Sequence, residues 1–160
     1  MNYIFSAIFL YFFLGFLLYI LQRRIVFNKS GHLGKPKDYN LDNTEEVYIK
    51  TEDNLKLLSW YHKGNNSLPL LVYFHGNSFH IGDRAYRIQR YIEKNWSVLL
   101  VSWRGFGGNE GNPTEKNLYK DAEAVLKWIK NNTEFKFKEL VIYGESLGSG
   151  AAVEIGTKYE

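Results

Sequence analysis

The 160-residue sequence predicts an α/β protein, a mostly parallel sheet preceded by one membrane-spanning helix. Three observations point there. Residues 3–21 form one uncharged apolar run. From residue 68 onward, short apolar runs alternate with stretches of helical periodicity, the mark of repeated strand–helix–strand units. Those runs open into glycine-bearing loops, where parallel sheets collect their functional groups. At 45 % hydrophobic and 17 % aromatic residues, the chain is globular rather than disordered. It has no cysteine, which excludes disulfides and cysteine-held metals and leaves the compartment open. The net charge of +3 comes from scattered lysines and arginines, without the one-faced clustering of a nucleic-acid binder.

The apolar run comes first. Thirteen of the nineteen residues in "YIFSAIFLYFFLGFLLYIL" are Ile, Leu or Phe. Together they favour insertion by roughly 4 to 8 kcal/mol. As a helix they span about 28 Å, close to the hydrocarbon thickness of a bilayer. A cleaved signal peptide would need a basic start, a shorter core and a small-x-small cleavage site. Here the start is Met1-Asn2 and "LQRRIVF" follows the core, so a retained helix fits better. Arg23, Arg24, Lys29, Lys35 and Lys37 precede the first acidic residue, which places the body on the cytoplasmic side. The sequons at Asn28, Asn65 and Asn131 carry no weight in an asparagine-rich chain with a cytoplasmic body. The resulting division is an anchor (1–24), a connector (25–44) and an α/β body (45–160).

In the body, "EEVYIKT" alternates, with Val47 and Ile49 on one face, and "LKLLSWYHK" follows the turn residues Asp53-Asn54. This predicts a hairpin over 45–63, antiparallel to the rest. "LPLLVYF" (68–74), "WSVLLVSW" (96–103) and "ELVIYG" (139–144) are continuous apolar runs, read as strands covered on both faces. Ile81, Ala85, Ile88 and Ile92 mark a helical face between the first two. Leu118, Ala122, Val125 and Ile129 mark another, opened by Pro113 and capped by Thr114. A last helix begins just after Ser146.

Three loops follow the strands, at 75–80, 103–113 and 144–148. In the last, Gly144-Glu145-Ser146-Leu147-Gly148 is a Gly-x-Ser-x-Gly elbow between strand and helix. Gly144 and Gly148 remove side chains at a close approach, so Ser146 is presented as a nucleophile above the sheet. The N–H of Leu147, at the new helix's start, would donate to an oxyanion. The backbone N–H of Asn77, or of Ser78, in the His75-Gly76-Asn77 loop would be the second donor, while the His75 side chain holds the loop locally. The third loop, "WRGFGGNEGNPTE", begins a G-x-G-x-x-G count at Gly105 but has Glu110 in last place and no helix there, which excludes a phosphate cradle. Arg104 is read as structural.

Taken in order, His75–Asn77, Arg104–Gly107, Gly111–Glu115 and Gly144–Gly148 resemble the α/β-hydrolase superfamily. They are most similar to its small membrane-anchored, serine-aminopeptidase-like and lipase-like members. The resemblance runs from about Glu45 to the C-terminus. It implies serine hydrolysis of esters, thioesters or amides on an eight-stranded sheet. Two departures, Ser102-Trp103 and Phe79-His80, are expected to alter the pocket rim. The resemblance also implies a triad in the order serine, acid, histidine. After Ser146 the chain has only Glu154 and Glu160 as acids and no histidine. Glu154 is two helical turns on, about 12 Å away, too far to serve. Of His32, His62, His75 and His80, only His80 lies near enough to be considered as a substitute base.

The expectation is therefore the N-terminal part of such a hydrolase, inactive by itself, with the elbow strand left as an apolar edge. A second chain supplying the missing strands, acid and histidine would complete it. The bilayer is an expected partner, as is an ester-like substrate once the fold is complete; nucleic acid is not. No metal or organic cofactor is indicated. The alternative is a non-catalytic, membrane-tethered scaffold.

Overall fold

The computed structural model describes residues 2–27, 31 and 33–159. The sequon at Asn28, and Lys29, His32 and Glu160, lie outside the described residues. Helix α1 (Asn2–Val26) runs beyond the apolar run through Arg23 and Arg24, since no Gly or Pro interrupts it there. Its segment Tyr3–Val26 is long and apolar enough to cross a bilayer, and none of it is buried.

Strands β1 (Thr44–Lys50) and β2 (Lys56–His62) form the expected hairpin, in register from Thr44↔His62 to Lys50↔Lys56. The turn is fixed locally. Thr51 Oγ1 donates to Asp53 Oδ1 at 2.7 Å, and Asn54 takes a φ of 64° that asparagine tolerates. Strands β3 (Leu70–Phe74), β4 (Ser97–Val101) and β5 (Leu140–Gly144) complete a sheet of order β1-β2-β4-β3-β5. β2 meets β4 antiparallel; β3 is parallel to both β4 and β5.

The continuous apolar runs are explained by two core layers. Leu70, Val72 and Phe74 of β3, with Leu99 and Val101 of β4, face α3 (Glu115–Asn132) and α4 (Leu147–Lys158). Leu71 and Tyr73, with Val98 and Leu100, face α2 (Ala85–Glu93) on the other side. Successive strand residues point to opposite faces, so a strand covered on both must be apolar throughout. The helical faces stand as expected except at one end: Ile81, Ala85 and Ile88 are buried but Ile92 only partly, while Leu118, Ala122, Val125 and Ile129 are all buried. The turn Ile81–Arg84 is 3-10 rather than α-helical, pinned by Asp83 Oδ2, which accepts from the His80 N–H. Thr114 caps α3 as predicted, its Oγ1 accepting from the Asn117 N–H at 3.2 Å.

β5 departs from expectation. Only one face is covered; Val141 and Tyr143 are about 40 % exposed. They share the face of Leu71 and Tyr73, where α2 packs chiefly against β4, two strands away from β5. β5 is thus the open edge of the sheet among the described residues.

Candidate active site

Phe74, the last residue of β3, is registered with both Val101 and Gly144, the last residues of β4 and β5. The three strands therefore end side by side, and the three loops singled out above emerge together. The Glu145 N–H donates to the Phe74 carbonyl at 2.9 Å, which extends the pairing one residue into the elbow.

Ser146 sits at the turn with φ 48° and ψ −112°, a conformation that side chains rarely adopt. The helix follows at once: the Gly148 N–H donates to the Glu145 carbonyl and the Ser149 N–H to that of Ser146. Ser146 is exposed. The flanking glycines are obligatory. A Cβ on Gly148 would lie 2.2 Å from the Phe74 oxygen, and one on Gly144 2.4 Å from Ser149 Cα. Both contacts are with backbone, which cannot swing aside.

The His75–Asn77 loop borders the serine: a Cβ on Gly76 would stand 3.5 Å from Ser146 Cβ. His75 is fully buried. Its carbonyl accepts from the Trp103 indole N–H at 2.8 Å, and its Nε2 accepts from the Trp103 backbone N–H at 3.4 Å. Burial above all, with a smaller push from the Arg84 charge, lowers its pKa to about 3. The imidazole is neutral and locked into the loop. Asn77 spends its side chain on α1, its Nδ2 donating to the Val26 carbonyl at 3.0 Å. Leu147 occupies the first position of α4, where a helix N–H has no carbonyl one turn earlier.

The other described histidines, His80 and His62, have neighbours of their own. His80 Nδ1 lies 3.0 Å from Asp83 Oδ2. His62 Nδ1 meets Thr44 Oγ1 at 3.2 Å. Glu154 pairs with Lys158 on its own helix at 2.8 Å. Ser102 and Trp103 are fully buried, Trp103 stacking on Phe74 with ring centroids 5.0 Å apart. They belong to the core beneath the loops, which corrects their expected place at the rim. Phe79 is exposed, at φ 62°. Arg104 is structural, as read: buried, it bonds Asp121 at 2.6 Å and reaches Asp53 in the hairpin turn through two nitrogens.

One cluster escaped the sequence. Arg84 donates to both oxygens of Glu145, Nε at 3.1 Å and Nη2 at 3.2 Å, and its Nη1 donates to the Ser78 carbonyl at 2.8 Å. Tyr73 Oη donates to Glu145 Oε2 at 2.9 Å. Burial works against the Glu145 charge, but the Arg84 and Tyr73 hydrogen bonds outweigh it and hold the carboxyl below its ordinary value. The residue before Ser146 is thereby tied to the loop after β3. The only hint was an Arg on an otherwise apolar helical face, sixty-one positions from its partner.

Residues 66–160 match the family described as serine aminopeptidase, S33. The protein bem46 of Schizosaccharomyces pombe is 30% identical over 156 residues, covering 91% of this chain and 51% of its own. The membrane protein YNL320W of Saccharomyces cerevisiae is 30% identical over 148 residues, covering 89% of this chain and 52% of its own. The lysophosphatidylserine lipase ABHD12 of Danio rerio is 29% identical, covering 77% and 37% respectively. Among solved structures, the Pyrococcus furiosus esterase Pf2001 superposes with a TM-score of 0.62 at 26% identity, over 79% of this chain and 50% of the esterase. The chain spans about half the length of the relatives it matches, or less.

Proposed function

Because this chain belongs to the S33 serine aminopeptidase family of the α/β-hydrolase superfamily, we propose that Ser146 is the nucleophile of a serine hydrolase acting on an ester, thioester or amide. The observation that carries this is the elbow. A strained, exposed serine stands between two glycines whose neighbours leave no room for a side chain. Nothing structural calls for that combination, whereas a nucleophile needs to be raised into the open at a helix start. The N–H groups of Leu147 and Asn77 would receive the oxyanion, at the head of a helix whose dipole favours negative charge. The esterase and lipase among the relatives agree with acyl transfer as the reaction class.

The activation of Ser146 is proposed to come from outside these residues. A serine hydroxyl needs an imidazole to take its proton and a carboxylate to orient that imidazole. His62, His75 and His80 each have other partners, and Glu145 is committed to Arg84. The 160 residues alone are therefore expected to bring no turnover. A polypeptide carrying an acid, a histidine and strands to pair with β5 would restore it. A fluorophosphonate probe tests both points. It should leave the chain alone unlabelled and should label Ser146 once a relative's C-terminal half is co-expressed, with loss of label in Ser146→Ala. Labelling of the chain alone contradicts the inactivity. Absence of label in a folded complex contradicts the nucleophile and favours the scaffold reading, which the engaged histidines support.

We also propose that the body lies on the cytoplasmic side of a single-pass α1, a reading that Arg23, Arg24, Lys35 and Lys37 support. The absence of cysteine makes this easy to test. In sealed cells, Lys116→Cys on α3 should resist a membrane-impermeant maleimide until the membrane is permeabilised. Modification of intact cells reverses the topology.

A further inference from the structure

Helix α1 does not end clear of the body. Its last turn is tied through the Val26 carbonyl to Asn77, beside Ser146, and Phe27 packs against the core. Between that turn and the first turns of α3 and α4 lies a cavity of about 510 Å³, within the range of small-molecule sites. Val26 and Phe27 form one wall. Leu118, Tyr119, Leu147 and Ala151 form the other. Leu147, the residue after Ser146, lines the cavity, and Ser146 itself lies just outside the lining. Gln22 and Arg23 line it where the candidate span Tyr3–Val26 runs out. A cavity that joins the end of the candidate span to the residue after Ser146, apolar along Val26, Phe27, Leu118, Leu147 and Ala151 and polar at Gln22, Arg23, Thr114 and Glu115, has the layout for an amphiphile drawn from the membrane. The burial of apolar walls favours hydrocarbon over a charged peptide.

We propose that this cavity binds one acyl chain of a membrane lipid ester, with its carbonyl presented at Ser146 and its polar head beside Arg23. This rests on the hydrolase reading for the role of Ser146 and deepens it by naming the substrate class. The anchor is then a wall of the binding site as well as a tether.

The test is photo-crosslinking of the full chain in phosphatidylcholine vesicles doped with a phospholipid bearing a diazirine at its acyl terminus. Peptide mapping should find label on Leu118–Tyr119 or Leu147–Ala151 as well as on α1. Gly150→Phe should reduce the α3 and α4 label severalfold, because Gly150 lines the cavity and a Cβ there meets only Tyr119 Oη, at 3.9 Å. Val26→Trp should do the same from the opposite wall. Gly156→Phe, on the same helix with nothing within 4 Å of an added Cβ, should leave the label unchanged. Label confined to α1, or indifferent to both cavity-filling variants, overturns the proposal. The readout needs no turnover. Lipid label on α3 and α4 without fluorophosphonate reactivity in the completed protein would sink the nucleophile and spare the lipid site.

Discussion

At Ser146 a φ of 48° is held by the pairing of Glu145 with Phe74 on one side and the start of α4 on the other. Backbone held in such a region costs on the order of 1–3 kcal/mol. Ser146→Gly should release that strain and raise stability by about 1 kcal/mol over Ser146→Ala, which keeps the Cβ. Chemical denaturation of the two variants checks this, and equal midpoints would mean that the turn is unstrained. His75 sets a second expectation. Its folded pKa of about 3 lies below the roughly 6.5 of the unfolded chain, so the unfolded state binds a proton that the native state refuses. The stability this contributes is complete above about pH 6.5 and is lost as pH falls toward 3, at about 1.4 kcal/mol per pH unit. His62, lowered by its own burial, adds in the same direction. Melting temperature between about pH 4.5 and 6.5, above the carboxylate range, should rise with pH, and more shallowly in His75→Phe.

At the scale of elements, the loops above the sheet are held by two charged clamps built alike. Arg104 joins the hairpin turn, through Asp53, to α3, through Asp121. Arg84 joins the elbow, through Glu145, to the loop after β3, through the Ser78 carbonyl. Both arginines are buried; of their carboxylate partners Asp121 is fully buried, Glu145 half-buried and Asp53 exposed, so the loss of Arg104 leaves the charge of Asp121 without solvent. Arg104→Met should therefore destabilise by about 3–5 kcal/mol, since Asp121 is fully buried. Urea unfolding measures it, and a loss under 1 kcal/mol would show that Asp121 is neutral or reached by water. Neither clamp could be found from spacing. Asp53 and Arg104 are fifty-one positions apart, and their chemistry is indistinguishable from that of the many solvated charges in the chain.

For the whole molecule, the sheet is asymmetric. The antiparallel hairpin strand β1, largely polar and exposed, forms one edge, and the apolar β5 forms the other with Val141 and Tyr143 about 40 % exposed. An apolar edge of this kind pairs with whatever strand reaches it. That places completion of the proposed active site and protection of the edge in the same event. α1 adds the other asymmetry: an exposed apolar rod whose last turn rests against the candidate site.

By itself, the sequence determined the α/β class, the hairpin, the three apolar strands, the cap at Thr114 and the Gly-Glu-Ser-Leu-Gly elbow. These are written in local spacing: apolar residues at period 2 or 3.6, and glycines at fixed offsets from a serine. Only the tertiary structure decided that β5 is half-covered, that Trp103 is core rather than rim, that Arg84 grips Glu145, and that the last turn of α1 walls a cavity that Leu147 also lines. Each of these depends on which distant segments share a face of the sheet. Coverage and charge pairing are properties of neighbours in space, and periodicity along the chain carries no record of them.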